Sequence, residues 1–538
     1  MSSRSSGAVL AGCAVLLPIV VAGIGQSSPL DPSVAAASTV VAASAAVANS
    51  SGEEHASRLS LRPATKAKRT PVRIARAAIV AGPSLSTSAR TTLTLRANLG
   101  SALRTRSGRW GVLVTSVSRG DTLFSEEPDR LLKPASTLKL MTAALALERF
   151  GGDHTFSTDV LSDRAPSSGV LNGNLYLKGG GDPTLSLRFS RGESPTDALA
   201  RQVRARGIAH VRGDVVADES AFAPERIPVG WKNSYRASAY AAPVSALSLN
   251  ENLMWVDTRV VDGRAVVTLD PPSAIVSVTN NVRVVAGRGG RVVVGRSKNG
   301  VFASGSIGAR SAPKRYSLVV QDPPAFTAGA LAASLAKVGV RFDGAVRVGK
   351  APRNSVRVAT VRSQPLGSII SYMNRESINH YAELLFRSAA REDDRAGSAT
   401  AALETLRGFL ADKVGVRREA IRVRDGSGLS EADTLTARSL VQVLAYANRA
   451  PWSSAYHLSL PVAGQSELLR RRMRSTLAQG NLHAKTGSTN TVASLAGYVT
   501  ARNGELLAFA FIYNGRDLWN AKIAMDRMGS TLAGFYRD

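Results

Sequence analysis

Three short segments of the 538-residue chain bring together residue types that could do chemistry. Ser136 and Lys139 stand three apart in Ser136-Thr137-Leu138-Lys139, just after Pro134 and at the head of an apolar, helix-like run. On a helix that spacing puts hydroxyl and amine on one face, with Cβ atoms about 5–6 Å apart. The amine could then take the hydroxyl proton and make Ser136 a nucleophile, and a helix N-terminus favours the negative charge that develops. The same spacing recurs at Ser311/Lys314, which encloses a proline and reads as a loop, and at Ser334/Lys337, mid-helix, where no backbone N–H is free. Ser377-Ile378-Asn379 follows a helical stretch, and its Ser and Asn project together only if Ile378 turns into the core. Ser248/Asn250, Ser297/Asn299 and Ser488/Asn490 repeat that spacing, so the triplet alone says little. Lys485-Thr486-Gly487 occurs once, entering strand-like sequence. A cation, a hydroxyl and a residue without Cβ on a strand edge suit a substrate carboxylate lying antiparallel to it; a charged edge-strand turn reads the same triplet as well.

Other chemistries find less material. The histidines at 55, 154, 210, 380, 457 and 483 are scattered without ligand spacing, so no metal is expected. Cys13 is the only cysteine, which leaves no internal disulfide and no thiolate cluster. Lys and Arg number 68 against 40 Asp and Glu, a formal charge of +28, and this favours contact with polyanions. Aromatic residues are 5%, few for the stacking that nucleic-acid binding uses, and no nucleic-acid partner is expected. Gly179-Gly180-Gly181 lacks the Gly-Lys-Ser/Thr that a phosphate loop needs.

The elements that must position these residues can be read in outline. With 44% hydrophobic residues the chain holds enough apolar material for packed cores, and its length suggests about three or four units. Residues 7–25 are apolar and uncharged, a secretory signal or, if uncleaved, an anchor, so residues 1–37 are set apart. Residues 38–92 form an Ala/Ser-rich basic linker, either a solvated tether or a segment docking to anionic wall polymer or lipid. A strand hairpin is expected over 110–127, a helix over 134–150, and short Val-rich strands from about 155 to 340. Helical periodicity returns over 366–390 and 399–415, and a strand pair turning at Arg502-Asn503-Gly504-Glu505 precedes a closing helix.

In chain order, Ser-x-x-Lys, Ser-x-Asn and Lys-Thr-Gly resemble the signature of the penicillin-recognising serine enzymes. The 241 residues between Ser136 and Ser377 leave room for a large insertion. In this the chain is similar to the class C low-molecular-mass penicillin-binding proteins of the penicillin-binding protein 4 type, the D-alanyl-D-alanine carboxypeptidase/endopeptidases. LYLKGGGDPTL (175–185), AAPVSALSLNENL (241–253), RDGSGLS (424–430), LPVAG (460–464) and HAKTGSTNTVASLAGYV (483–499) carry the same resemblance, which covers about residues 93–535. It implies an α/β, penicillin-binding transpeptidase-like (β-lactamase-like) fold: an antiparallel sheet flanked by helices, formed by 93–154 and 341–538, with a β-rich insertion over 155–340.

The resemblance also implies an exported enzyme of the periplasm or cell-wall space, without a cofactor, that acts on peptidoglycan stem peptides and is inhibited by β-lactams. Ser136 would attack the penultimate D-Ala carbonyl, with Lys139 as base, its pKa lowered by burial and by Lys485. Ser377 would relay the proton to the leaving amine, and Asn379 would hold the substrate or steady Lys139. Backbone N–H groups of Ser136 and Ser488 would form the oxyanion hole. Thr486 and Ser488 would bind the terminal carboxylate, with Gly487 keeping its approach open. One departure stands out: after Gly230-Trp231 the family usually carries an acid that reaches the amine of the third stem-peptide residue, and Lys232-Asn233-Ser234-Tyr235 has none. Tyr235, near the expected position, is either a hydrogen-bond acceptor or a structural residue. The alternatives are a serine β-lactamase, although no Glu-x-x-Leu-Asn run is present, and an inactive wall-binding scaffold, against which intact Ser136, Lys139 and Lys485 speak.

Overall fold

The computed structural model describes residues 92–537, other than 105–107, 191, 299, 393 and 394. The apolar segment 7–25 and the basic linker therefore lie outside the described residues. Helix α1 (Thr92–Ala102) leads into the hairpin β1 (Arg109–Ser116) and β2 (Thr122–Glu126). A single 3₁₀ turn, Ala135–Leu138, then opens α2 (Lys139–Phe150). After α2 the chain enters the insertion through β3 (Ser157–Ser162), β4 (Leu175–Gly179), α3 (Pro195–Ala205), β5 (Val215–Asp218) and α4 (Pro323–Lys337). It leaves through β6 (Val346–Val348) and β7 (Val356–Arg362). Helices α5 (Leu366–Glu376), α6 (Asn379–Ala389), α7 (Ala399–Phe409) and α8 (Ala437–Arg449) follow, then β8 (His483–Thr489), β9 (Val492–Thr500), β10 (Leu506–Asn514) and α9 (Leu518–Ala533).

Strands from both ends of the chain form one antiparallel sheet in the order β8-β9-β10-β1-β2. The two-residue period of a strand divides β10 between two cores. Leu507, Phe509, Phe511 and Tyr513 pack under α1 and α9, whereas Ala508, Ala510 and Ile512 face α2 and the helices around it. The small side chains on that second face let α2 lie close to the sheet. Lys139 through Leu147 are all buried, so α2 is a central helix surrounded by protein rather than an amphipathic surface helix.

The insertion holds a five-stranded sheet, β6-β5-β4-β3-β7, with α3 and α4 against one face. Three three-stranded sheets accompany it, one of Leu253–Val261, Arg264–Asp270 and Lys314–Val319, one of Ser277–Val285, Val292–Ser297 and Gly300–Gly308, and a small one of Val170–Leu171, His210–Val211 and Arg341–Phe342. The boundary expected near 340 differs from the pairing observed. β6 pairs with β5 and β7 with β3, so residues up to Arg362 belong to the inserted sheet. The reason is non-local: short Val-rich strands join whichever strand edge lies open, which sequence periodicity does not show.

The helical run expected over 366–390 is two helices. Ser377 has φ 59° and ψ 36°, left-handed backbone that ends α5, and α6 begins at Asn379. Among the described residues no helix is long and apolar enough to cross a membrane.

Candidate active site

The Ser136 side chain projects from the 3₁₀ turn between Pro134 and α2, a turn held against the sheet by hydroxyls. Ser494 of β9 donates to the Pro134 carbonyl at 2.7 Å, and Thr137 donates to the same oxygen at 2.8 Å. Ala135, before the nucleophile candidate, has φ 47°. A non-glycine residue in the left-handed region is strained, and here packing on both sides holds it. Gly487 of β8 backs directly onto this turn. A Cβ there would overlap the Ser494 hydroxyl, stand 2.7 Å from the Pro134 carbonyl oxygen and 3.0 Å from the Ser136 nitrogen. The missing side chain makes room for the nucleophile turn.

Three of the sequence segments meet around two buried amines. Lys139 Nζ donates to Ser136 Oγ at 2.9 Å, to Asn379 Oδ1 at 2.6 Å and to the Ser427 carbonyl at 2.8 Å. Lys485 Nζ donates to Ser377 Oγ at 2.9 Å and to the Thr486 carbonyl at 2.9 Å. The left-handed Ser377 and the first turn of α6 put both residues of Ser-x-Asn at the site while Ile378 packs on the core. β8 is an edge strand, so some of its backbone groups stay open to an extended peptide. Among the described residues the Thr486 and Ser488 hydroxyls have no hydrogen-bond partner. The other Ser-x-x-Lys pairs are elsewhere engaged: Ser334 donates to Thr196 and Lys337 to Asp197, while Ser311 and Lys314 donate to loop carbonyls.

Lys139 and Lys485 are fully buried. Burial lowers the Lys139 ammonium from 10.5 to about 7, against the pull of the Asp425 and Glu383 carboxyls. Burial, and after it the Lys139 charge, holds Lys485 well below its ordinary value. Burial is thus the larger cause for both amines, and the repulsion between them, which acts on the pair, comes after it.

Residues that motif reading had not singled out support the lysines. Asp425 is fully buried and accepts the backbone N–H groups of Ser427, Gly428, Leu429 and Ser430 at 3.1, 2.7, 3.1 and 2.9 Å. It also takes the Trp231 indole N–H from the insertion at 2.7 Å. This collar aims the Ser427 carbonyl at Lys139. Glu383, one turn along α6 from Asn379, accepts the Gly426 N–H at 2.9 Å and braces the same loop. Burial, then the Asp425 charge, raises it to about 8. RDGSGLS (424–430) was the available signal, read only as a stretch that carries the family resemblance. Asn379 Nδ2 donates to the Tyr240 carbonyl, so the insertion also completes the site. Tyr235 packs edge-on against Tyr240 with ring centres 5.6 Å apart. Beside it Lys232 pairs with Glu431 at 2.5 Å. Among the described residues no group of His, Cys, Asp and Glu is arranged to hold a metal ion.

Residues 95–533 match the model of the D-Ala-D-Ala carboxypeptidase 3 (S13) family. The chain is 35% identical over 425 residues to the D-alanyl-D-alanine carboxypeptidase of Actinomadura sp. strain R39, covering 75% of this chain and 77% of that one. It is 27% identical over 416 residues to D-alanyl-D-alanine carboxypeptidase DacB of Haemophilus influenzae, covering 75% and 85%. The crystal structure of penicillin-binding protein 4 from Haemophilus influenzae superposes with a TM-score of 0.66 at 25% identity, covering 80% of this chain and 97% of that one. Its complex with a β-lactam gives 0.63 at 25% identity, covering 80% and 98%. These likenesses do not favour the β-lactamase or inactive-scaffold alternatives.

Proposed function

The chain belongs to the D-Ala-D-Ala carboxypeptidase 3 (S13) family, and from that premise we propose that Ser136 is the nucleophile of a serine D-alanyl-D-alanine carboxypeptidase/endopeptidase acting on peptidoglycan stem peptides. The observation that carries the assignment is a fully buried Lys139 amine, lowered to about 7, donating to Ser136 Oγ at 2.9 Å. An ordinary lysine holds its proton at neutral pH and could not act as base.

Neutral Lys139 takes the Ser136 proton as Oγ bonds to the carbonyl carbon of the penultimate D-Ala. The N–H groups of Ser136 and Ser488 hold the oxyanion, and the Thr486 and Ser488 hydroxyls hold the terminal carboxylate beside the Lys485 amine. The C–N bond then breaks. The proton that Lys139 took is relayed to the leaving amine through Ser377, which Lys485 positions at 2.9 Å, and this leaves Lys139 neutral again. Water adds to the ester by the reverse path, with Lys139 as base, and releases the shortened peptide. Endopeptidase action differs only in the leaving amine, which then belongs to a neighbouring stem. In a β-lactam that amine stays tethered after ring opening and blocks the water, so the adduct persists. The proposed substrate and the apolar segment 7–25 support a location outside the cytoplasm, in the periplasm or cell-wall space.

Intact-mass measurement after incubation with penicillin tests the reading. A lasting single adduct on the chain, absent from Ser136→Ala, is expected. No adduct with penicillin left intact would overturn the nucleophile assignment, and no adduct with penicillin consumed would turn the reading to a β-lactamase.

A further inference from the structure

Glu383, Asp425 and Asp433 are fully buried carboxyls of one cluster, and the donors around them are shared unequally. Asp425 takes the four N–H groups of the collar, the Trp231 indole N–H and, at 3.0 Å, the Ser427 hydroxyl. Donors in that number are what a buried carboxylate needs. Asp433 has the Arg424 N–H, which donates to Oδ1 at 2.6 Å, while its Oδ2 is buried and meets no donor. The Asp433 and Asp425 carboxyls are nevertheless hydrogen-bonded to each other. Two carboxylates only accept, so this bond needs a proton on one of them. The oxygen without a donor, Asp433 Oδ2, is the place for it.

The backbone around Asp433 is fixed from outside the collar. Its N–H donates to the Ser430 carbonyl at 3.2 Å, and the next residues, Thr434 and Leu435, pair with Arg422 and Ile421. Leu435 also exchanges backbone hydrogen bonds of 2.9 Å with Leu132, two residues before Pro134 and the nucleophile turn. Asp433 therefore stands on a framework shared with that turn, and its bond to Asp425 ties the collar to the same framework. Burial, then the Asp425 charge, raises Asp433 well above the ordinary 3.8, and Glu383, the other ionisable side chain acting on it, pushes the same way. We propose that Asp433 is a positioning residue held as the neutral acid: its Oδ2–H donates to the Asp425 carboxylate and locks the collar that aims the Ser427 carbonyl at Lys139 Nζ, 2.8 Å away. This rests on the reading of Lys139 as the base for Ser136.

Infrared difference spectra and acylation rates of the full chain test this. At about pH 6, above the ordinary range of an aspartic acid, wild type should show a protonated-carboxyl C=O band that Asp433→Asn removes. Asp433→Ala, which keeps neither the donor to Asp425 nor the acceptor for Arg424, should be acylated by penicillin about tenfold more slowly. Asp433→Asn keeps both and should recover most of that loss, with the pH midpoint of acylation unmoved. Rates are read well below each variant's Tm, and the infrared comparison needs only wild type and Asp433→Asn, so a poorly folding Asp433→Ala leaves the test standing. The proposal is overturned if Asp433→Asn removes no such band, or if Asp433→Ala is acylated as fast as wild type. It is equally overturned if the Asn variant's midpoint falls by about half a pH unit or more, the mark of a charged Asp433 acting on Lys139. Acylation of Ser136→Ala would instead refute the reading of the site and leave the infrared result intact.

Discussion

Replacing Gly487 by alanine tests whether the contact between β8 and the nucleophile turn sets the position of Ser136. The added carbon would lie 2.7 Å from the Pro134 carbonyl oxygen and 3.0 Å from the Ser136 nitrogen. Ordinary contacts lie near about 3.5 Å, so turn and strand must part by roughly 0.5–0.8 Å. The Ser494 hydroxyl cannot simply rotate away, since it holds the same Pro134 carbonyl at 2.7 Å. A misplacement of 1 Å costs on the order of 10²-fold in rate, so the shift here predicts about a 10- to 50-fold slower acylation. Overpacking should also cost about 1–3 kcal/mol of stability. The assay is the second-order rate of acylation by a fluorescent penicillin, measured well below each variant's Tm. Gly100→Ala is the companion: its added carbon meets no atom within 4 Å on α1, and helix propensity there improves by about 0.8–1 kcal/mol. That variant should acylate as the wild type does. If Gly487→Ala acylates within about twofold of wild type, that shift does not occur and the close approach does not position the nucleophile.

Three further outcomes are expected. With Lys139 lowered to about 7, acylation should rise as pH passes through about 7 and the amine loses its proton, then level off; a limb centred far from there would exclude Lys139 as the base. Glu383 is raised from 4.5 to about 8, so between those values the folded state keeps a proton the unfolded state has released, and this group makes stability fall as pH rises across that window. Glu383→Gln should therefore gain Tm relative to wild type from pH 5 to pH 8.5, and a difference independent of pH would sink the assignment. Asp425→Asn leaves one acceptor oxygen and an amide donor facing a collar of N–H groups, a cost of about 3 kcal/mol or more. It should lower Tm by about 5 °C or more and slow acylation as the Ser427 carbonyl leaves Lys139; an unchanged Tm would show the collar is not stabilising.

Local chemistry and order were legible in the chain itself. Ser136 and Lys139 share a helix face because their spacing is three, and the antiparallel pair β9 and β10 follows from alternation and a tight turn, properties that near neighbours carry. The break at Ser377 was not legible, because Ser-Ile-Asn has no strong helix-stop residue and only tertiary packing holds a serine in left-handed backbone. Nor was the membership of β6 and β7 in the inserted sheet, since pairing depends on which edges are open. The motif triplets named both lysines, but their lowered pKa values required burial, which is a property of the assembled protein. Asp425, Glu383 and the Tyr240 carbonyl act on Lys139 and Asn379 across long sequence separations, so residue type and spacing could not identify them. The sequence by itself determined which groups could react. Tertiary structure decided which of the repeated Ser-x-x-Lys and Ser-x-Asn spacings converge, because only packing removes water from two amines and brings a strand edge against a helix start.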